Sequence, residues 1–455
     1  MNRINPKSLN KLEKNKKFDL LRTLIMESND NSTKKSLKKN IHLFKDVINM
    51  KCDRDWSVLL LACGYINCCD IVELLLKNNA DPNMLTDGYT VLIYTCRYSN
   101  LNSNFKMVNL LLKYGADPNI KDIDGFDSFM ISCRNSNNGS NIETVKLLLN
   151  HGIDVNTRNI EGFTPLMGSS RYTKTYSTIE TVKVLLENGA DPNLQNNDGN
   201  TALILSSRYT KKESSIETVK LLLEYGADVN IKNHVGWDAL MQSCRYTDID
   251  STIETVKLLL ENGANVNTKN IDGMYTLMMA CMNTNIDSTN EIIKSLLEKG
   301  ADINAINNDG MTALMVSCRY LDTISTPETI KFLLNYDNID VNITTKDTKY
   351  NALMLLCEYH PNQHELVMLL KSKTNLNHIN YKNKKIEDIC LNEYMYLFLT
   401  TTLDNILQKH EIIKSECFIC NEENIDCIKC KFDHYTCIKC LEKVRFNCEA
   451  CQSSF

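Results

Sequence analysis

Residues 162–198, GFTPLMGSSRYTKTYSTIETVKVLLENGADPNLQNND, are one copy of the unit from which most of this chain is built. Gly88, Gly125, Gly162, Gly199, Gly236, Gly273 and Gly310 recur every 37 residues, and each opens a similar segment. A fixed period of this length is the signature of a stacked array. Inside the unit the local signals agree. Thr164-Pro165-Leu166 starts a short helix, and Arg171 to Tyr176 is a polar connection. Ser177-Thr178-Ile179-Glu180 has the S-x-x-E form of a capping box. Val182, Leu185 and Leu186 follow at i, i+3 and i+4, the buried stripe of a second helix. Gly189 suits the left-handed residue that ends it. Asp191-Pro192-Asn193 and Asn197-Asp198-Gly199 read as a turn-rich hairpin leading into the next copy. One helix pair cannot bury its apolar face alone, so neighbouring copies must stack into an all-α solenoid.

The pattern TxL followed by VKxLLExGADxN resembles the ankyrin repeat. Leu59, Leu92, Phe129, Leu166, Leu203, Leu240, Leu277, Leu314 and Leu353 mark nine copies over about residues 50–380. Two departures are regular. The family's unit is commonly about 33 residues, and the extra ones lie between the helices, as at Thr173 to Tyr176 or Thr247 to Asp250. The histidine that usually follows the TPL leucine is Met167, Ile204, Met241 or Met315, which exchanges a polar contact for apolar surface.

Repetition also separates constrained from free positions. Helix leucines, the glycines and the Asp-x-Asn turn barely change between copies. The inserted loops do change (Lys174-Thr175-Tyr176, Lys211-Lys212-Glu213, Asp248-Ile249-Asp250, Asp322-Thr323-Ile324), so stacking is expected to leave them free to recognise a partner. Before the insertions an Arg-Tyr pair recurs at 97–98, 171–172, 208–209, 245–246 and 319–320. Read as structure, the arginine satisfies the last carbonyls of its helix and the tyrosine covers the turn. Read as function, the ladder binds an extended acidic ligand.

Composition bounds the rest. The chain has 455 residues, 43% of them hydrophobic, and a net charge of −5, so no global basic field invites nucleic acid. There is neither an apolar run of about 18 residues nor a secretory pattern at the start, so the expectation is a soluble cytoplasmic protein without a membrane segment. Of 19 cysteines, Cys63, Cys96, Cys133, Cys244, Cys281, Cys318 and Cys357 share one repeat position, acting as small hydrophobes rather than a disulfide framework. Residues 1–49 read as a helical cap, helical around Phe18–Met26 and Ile41–Ile48. The cap's lysines (Lys14, Lys16, Lys17, Lys34, Lys35, Lys38 and Lys39) solubilise the open end or, alternatively, meet an acidic partner. Residues 381–416 read as a degenerate capping repeat and a helical connector, the latter over Leu403–Lys414. Isolated histidines such as His151, His234 and His360 read as surface residues, and no nucleotide-binding glycine pattern or nucleophilic serine motif occurs.

The last segment, 417–455, carries Cys417-x2-Cys420, Cys430-x3-His434-x2-Cys437-x2-Cys440 and Cys448-x2-Cys451. Thiols and imidazole at these separations fit two tetrahedral Zn2+ sites, and a segment this short needs the metal to fold. Disulfides are the competing reading, opposed by a reducing compartment. The order resembles a RING finger. That resemblance implies one ion on Cys417, Cys420, Cys437 and Cys440, and a second on Cys430, His434, Cys448 and Cys451, with Cys427 outside both sets. It also implies a ubiquitin-conjugating enzyme docked on Ile419, Leu441 and Val444, and ubiquitin-protein transfer by positioning rather than by a catalytic residue of this chain. Glu449 and Gln452 depart from the proline and the cation often found there. The alternative is a non-catalytic scaffold with a structural zinc module. The layout as a whole also resembles ankyrin-repeat proteins of giant DNA viruses, which implies the host cytoplasm.

Overall fold

Most copies begin with a capped helix, the exception being Thr276–Cys281, where Tyr275 at the N-cap makes no side-chain capping bond. In the unit quoted above Thr164 is the N-cap and its hydroxyl accepts from Met167 N, while Pro165 occupies the first turn, where no backbone donor is needed. The helix Pro165–Arg171 ends in arginine; the second helix, Ile179–Glu187, buries Val182, Leu185 and Leu186 as the spacing predicts. First helices pack on first helices: Pro165–Arg171 lies between Ser128–Arg134 and Ala202–Arg208. Second helices do the same, Ile179–Glu187 lying between Ile142–Asn150 and Ile216–Glu224. The result is two parallel ranks of helices with an apolar seam between them, the arrangement expected of a solenoid.

The computed structural model describes residues 12–382 except 29, 53–54, 67, 99–103, 139, 283–285, 361–362, 376–379 and 381, together with the strand segments 412–415, 425–429, 435–437, 447–448 and 453–454. The chain forms two units, Met1–Ala264 and Asn265–Phe455. In the first, helices run from Lys14–Met26 to Ile253–Glu261. In the second, repeat helices run from Thr276–Cys281 to His364–Lys371, followed by a sheet of β1 (Ile412–Ser415), β2 (Ile425–Lys429) and β3 (Tyr435–Cys437) in that order, and a pair β4 (Asn447–Cys448) with β5 (Ser453–Ser454). All these strand pairs are antiparallel.

The hairpins are fixed by side chains that the turn motif only hinted at. Asp191 Oδ1 accepts from Asn193 N (2.8 Å), and Asn193 reaches the next copy, accepting from Asp228 N (2.7 Å) and donating to Gly226 O (3.0 Å). Five residues past the aspartates at 154, 191, 228 and 302 lies a buried asparagine, where the copies at 81, 117 and 340 carry Thr86, Asp122 and Thr345. Asn196 Oδ1 accepts from Asp198 N (3.1 Å) and Asn200 N (2.8 Å), and Asn159 and Asn233 repeat the arrangement. Gly189, at φ +86°, ends its helix in the left-handed region with open space around it. Gly199, at φ +80°, is crowded: a Cβ there would stand 2.6 Å from His234 N.

Several expectations need correction. The second helix is capped by Thr178, not Ser177; Thr178 accepts from Thr181 N at 3.2 Å, whereas Ser177 is buried and donates to Cys133 O at 2.9 Å. Glu180 therefore closes no capping box and is exposed. At the start of the chain, Asn31–Asn40 is a helix that periodicity did not signal, since it buries only Thr33 and Leu37, and Ile41–Phe44 is a 3-10 turn. Lys17 is not part of the solvated face. It is 6% exposed and its Nζ meets Asp46 Oδ1 at 2.5 Å. Residues 412–414, read as the end of a helical connector, are extended in β1. The rest of that connector and most of the degenerate repeat lie outside the described residues, although Asn380 Oδ1 accepts from Lys382 N (2.9 Å), the bond made by the asparagine column.

All seven column cysteines are buried. In the copies between Cys133 and Cys244 the position is held by Ser170 and Ser207, whose hydroxyls are buried without a partner. A buried polar group left unpaired costs about 1–3 kcal/mol. Replacing Ser170 by Cys is thus expected to raise the urea-unfolding free energy of the chain by about 1 kcal/mol, and an unchanged or lower midpoint would contradict that account.

Candidate partner-binding surface

The first helices of successive copies present their C-terminal arginines along one line. In the first unit the Arg-Tyr pairs interleave. The Arg134 guanidinium lies 5.1 Å from the Tyr172 ring, Arg171 lies 5.0 Å from Tyr172 and 4.5 Å from Tyr209, and Arg208 lies 5.0 Å from Tyr209 and 4.2 Å from Tyr246. Arg134, followed by Asn135, therefore faces only the tyrosine of the next copy, while Arg171 and Arg208 each face the tyrosine of their own copy and that of the next at cation–π distance. In the second unit Arg319 does the same with Tyr320 (5.5 Å) and Tyr359 (5.6 Å). The ladder is scaffold in this sense: its aromatic faces are occupied by the chain's own cations. Arg171 has a carboxylate as well, with Nε 3.1 Å from Glu213 Oε2.

The inserted loops are not free of stacking, contrary to expectation. Asn137 N donates to Tyr176 O, Lys174 N to Glu213 O and Lys211 N to Asp250 O, each at 2.9 Å. Lysine side chains add to this: Lys174 Nζ donates to Thr210 O at 2.6 Å, and Lys212 Nζ lies 2.7 Å from Asp250 Oδ1. Beneath the loops run hydroxyl triads that sequence reasoning missed. Thr181 donates to Ser136 (2.6 Å), which lies 3.2 Å from Ser177; Thr255 donates to Thr210 (2.9 Å), which lies 3.2 Å from Ser251. The loops vary in sequence because backbone atoms carry most of these bonds, so conformation is held while side chains change.

Opposite the loops, the hairpin tips expose apolar side chains. Ile123 is 79% exposed and Ile160 64% in the first unit, and Ile271 is 63% exposed in the second. Tip backbones are joined from copy to copy, Ile160 N donating to Asp124 O (3.3 Å), Asn197 N to Glu161 O (2.9 Å) and His234 N to Asp198 O (2.9 Å). Between tips and first helices lie clefts. One of about 170 Å³ is bordered by Phe126, Phe163, Arg134 and Arg171; the next, of about 440 Å³, is bordered by Phe163, Arg208, Tyr209, Val235 and Gln242. Apolar tips rimmed by polar groups over a row of clefts have the chemistry of a protein-binding face. His151 and His234 are exposed, as expected, and His360 is half-buried, with Nδ1 3.8 Å from Asp322 Oδ2.

Burial raises the thiols of the cysteine column. Cys96 and Cys281 are pushed up to about 12, and Cys63, Cys133, Cys244 and Cys318 are raised as well. They are core atoms and not nucleophiles. Of the expected metal ligands, Cys417, Cys420, Cys430, His434, Cys440 and Cys451 lie outside the described residues, as do the docking residues Ile419, Leu441 and Val444. Cys437 and Cys448 are placed by backbone only, in β3 and β4. Among the described residues no group of three His, Cys, Asp or Glu side chains is placed to hold a metal, and no helix is long and apolar enough to cross a membrane.

Within each unit, stacked helix pairs joined by bonded hairpins define a repeat-built scaffold. A family model described as ankyrin repeats (3 copies) matches residues 13–122, 101–176, 171–270, 249–347 and 277–383. The chain belongs to the ankyrin-repeat family, and its repeats have a protein–protein interaction role. The match starts at residue 13, so it takes in the helix pair Lys14–Met26 and Asn31–Asn40. No curated protein matches the chain.

Proposed function

We propose that the chain is a ubiquitin-protein ligase in which the repeats hold a target protein and a RING-type tail, residues 417–455, recruits a ubiquitin-conjugating enzyme. The observation that carries the reading is the donor set: seven cysteines and one histidine at Cys417, Cys420, Cys430, His434, Cys437, Cys440, Cys448 and Cys451. Soft thiolates with imidazole are the ligands of structural zinc. In the sequence Cys430 follows β2 and His434 precedes β3, strands that pair antiparallel with Lys429 opposite Tyr435 and Cys427 opposite Cys437. Zn2+, where bound, supplies folding free energy to a segment too small to keep a core of its own. Ile419, Leu441 and Val444 would then dock the conjugating enzyme, and transfer to target lysines follows from proximity. The proposed site of action, a host cytoplasm, rests only on the layout's resemblance to ankyrin-repeat proteins of giant DNA viruses.

Purified full-length protein is expected to hold two zinc ions per chain and to autoubiquitinate with at least one enzyme of a conjugating-enzyme panel. Cys437→Ala should lower the zinc content and abolish the activity. If wild type and variant are equally inert with every enzyme while zinc is present, the module is structural and the protein is an adaptor; fewer than two bound ions in the wild type removes the RING reading itself.

A further inference from the structure

Arg208 and Gln242, on the same cleft, differ from their counterparts Arg171 and Leu205 in the preceding copy. Arg171, one copy earlier, has its Nε 3.1 Å from Glu213. The carboxylate at the matching place for Arg208 is Asp250, and that group pairs instead with Lys212 at 2.7 Å. Arg208 Nε is buried and has no hydrogen-bond partner, its guanidinium held between the rings of Tyr209 and Tyr246. Gln242 occupies a position that is Ile131, Gly168 and Leu205 in the preceding copies. It is only 7% exposed, and its Oε1 is buried without a partner. Both residues border the cleft of about 440 Å³ between the hairpin tips at Asn197–Asn200 and Asn233–Val235 and the helices Ala202–Arg208 and Ala239–Tyr246. Phe163, Leu205 and Val235 supply apolar wall.

A buried carboxamide with an unmet oxygen and a half-buried guanidinium whose Nε is buried without a partner each cost stability unless a ligand completes them. The apolar side chains lower the dielectric on one flank of the charge, which strengthens an ion pair formed there, and the polar flank carries one carboxylate of its own, Asp198. A carboxylate satisfies the guanidinium with charge-assisted bonds and takes a further N–H from the Gln242 amide, whose oxygen and nitrogen exchange places by rotation about its last bond.

We propose that this cleft is a subsite for an acidic side chain, Asp or Glu, carried on an extended segment of the partner protein lying along the first unit. The inference rests on the repeats being a protein-capturing face and adds the chemistry of what is captured.

The test is selection of a random nonapeptide phage library on immobilised full-length protein, comparing wild type with Arg208→Met, Gln242→Leu and, as a control in the second unit, Arg319→Met. Gln242→Leu restores the apolar column, so it is expected to fold at least as stably as wild type by circular dichroism and urea melting, which guards against a trivial loss. Wild type and Arg319→Met should enrich an acidic residue at one peptide position by about tenfold or more, matching a charge-assisted pair of about 1.5 kcal/mol. Both cleft variants should lose that enrichment, and it should weaken in high salt. A wild-type consensus without an acidic position, or one retained in both cleft variants, overturns the subsite alone. No consensus from wild type overturns the subsite together with the view of the repeats as a peptide-capturing face.

Discussion

Raising the pH above about 8.5 is expected to unfold the repeats steeply, because the unfolded chain gains thiolates that the folded chain refuses. In the first unit burial raises Cys63, Cys96, Cys133 and Cys244, with Cys96 reaching about 12. A thiol whose folded pKa is raised contributes stability that is fully present below its unfolded pKa and is lost as pH climbs toward the folded one. The window therefore runs from about 8.5 to about 12. Each such thiol removes at most about 1.4 kcal/mol per pH unit, so four together approach 5 kcal/mol per unit, comparable with the whole stability of a domain. Urea midpoints measured from pH 7 to 10 should fall along this slope, and Cys133→Ala with Cys244→Ala should flatten it by about half. A flat profile would mean that the column thiols are open to solvent.

Two glycine substitutions of similar backbone cost are expected to differ in outcome. Gly189 and Gly199 have φ values of +86° and +80°, so alanine at either pays the left-handed penalty of about 1–2 kcal/mol. Around Gly189 nothing lies within 4 Å of an added Cβ. At Gly199 the same atom would stand 2.6 Å from His234 N and 2.9 Å from Asn233 Cα, backbone that cannot swing aside. To make room the hairpins must part, and the 2.9 Å bond from His234 N to Asp198 O goes with them. Gly199→Ala should therefore cost about 3–4 kcal/mol and Gly189→Ala about 1–2. Equal losses in urea melting would show that the tips are loosely joined.

The contrast also shows what the sequence made legible. Period and stripe revealed the helices because burial repeats with the geometry of a helix, as at Val182, Leu185 and Leu186. Both glycine columns were visible as tolerant of positive φ, but the difference between Gly189 and Gly199 depends on a residue in the following copy, which no local pattern records. The misplaced cap has the same cause: Ser177 looked like a cap until Cys133 O, 44 residues earlier, claimed its hydroxyl. Asn31–Asn40 escaped notice because a helix that buries one leucine has almost no periodicity to read. For the cleft, the signal was present in the letters, since Gln242 is the polar member of an otherwise apolar column. Its meaning required knowing that Arg208 borders the same cleft and that Asp250 is engaged elsewhere. In the tail, ligand spacing was readable while the ligand positions fall outside the described residues.

The bonds between successive inserted loops restrict how such a chain can change its length. Lys174 N meets Glu213 O, and Lys211 N meets Asp250 O, so each loop finds its partner only if its neighbour carries an insertion of equal size. Recombination that spliced in a copy of about 33 residues would orphan a donor on one side and an acceptor on the other. Along the stretch from Leu92 to Leu314, where copies repeat every 37 residues, gain or loss of a whole copy keeps these bonds, while the steps of other length, from Leu59 to Leu92 and from Leu314 to Leu353, stand at the two ends of the array. Point changes at the loop side chains remain cheap throughout, so the frame of the central copies persists while their lettering varies.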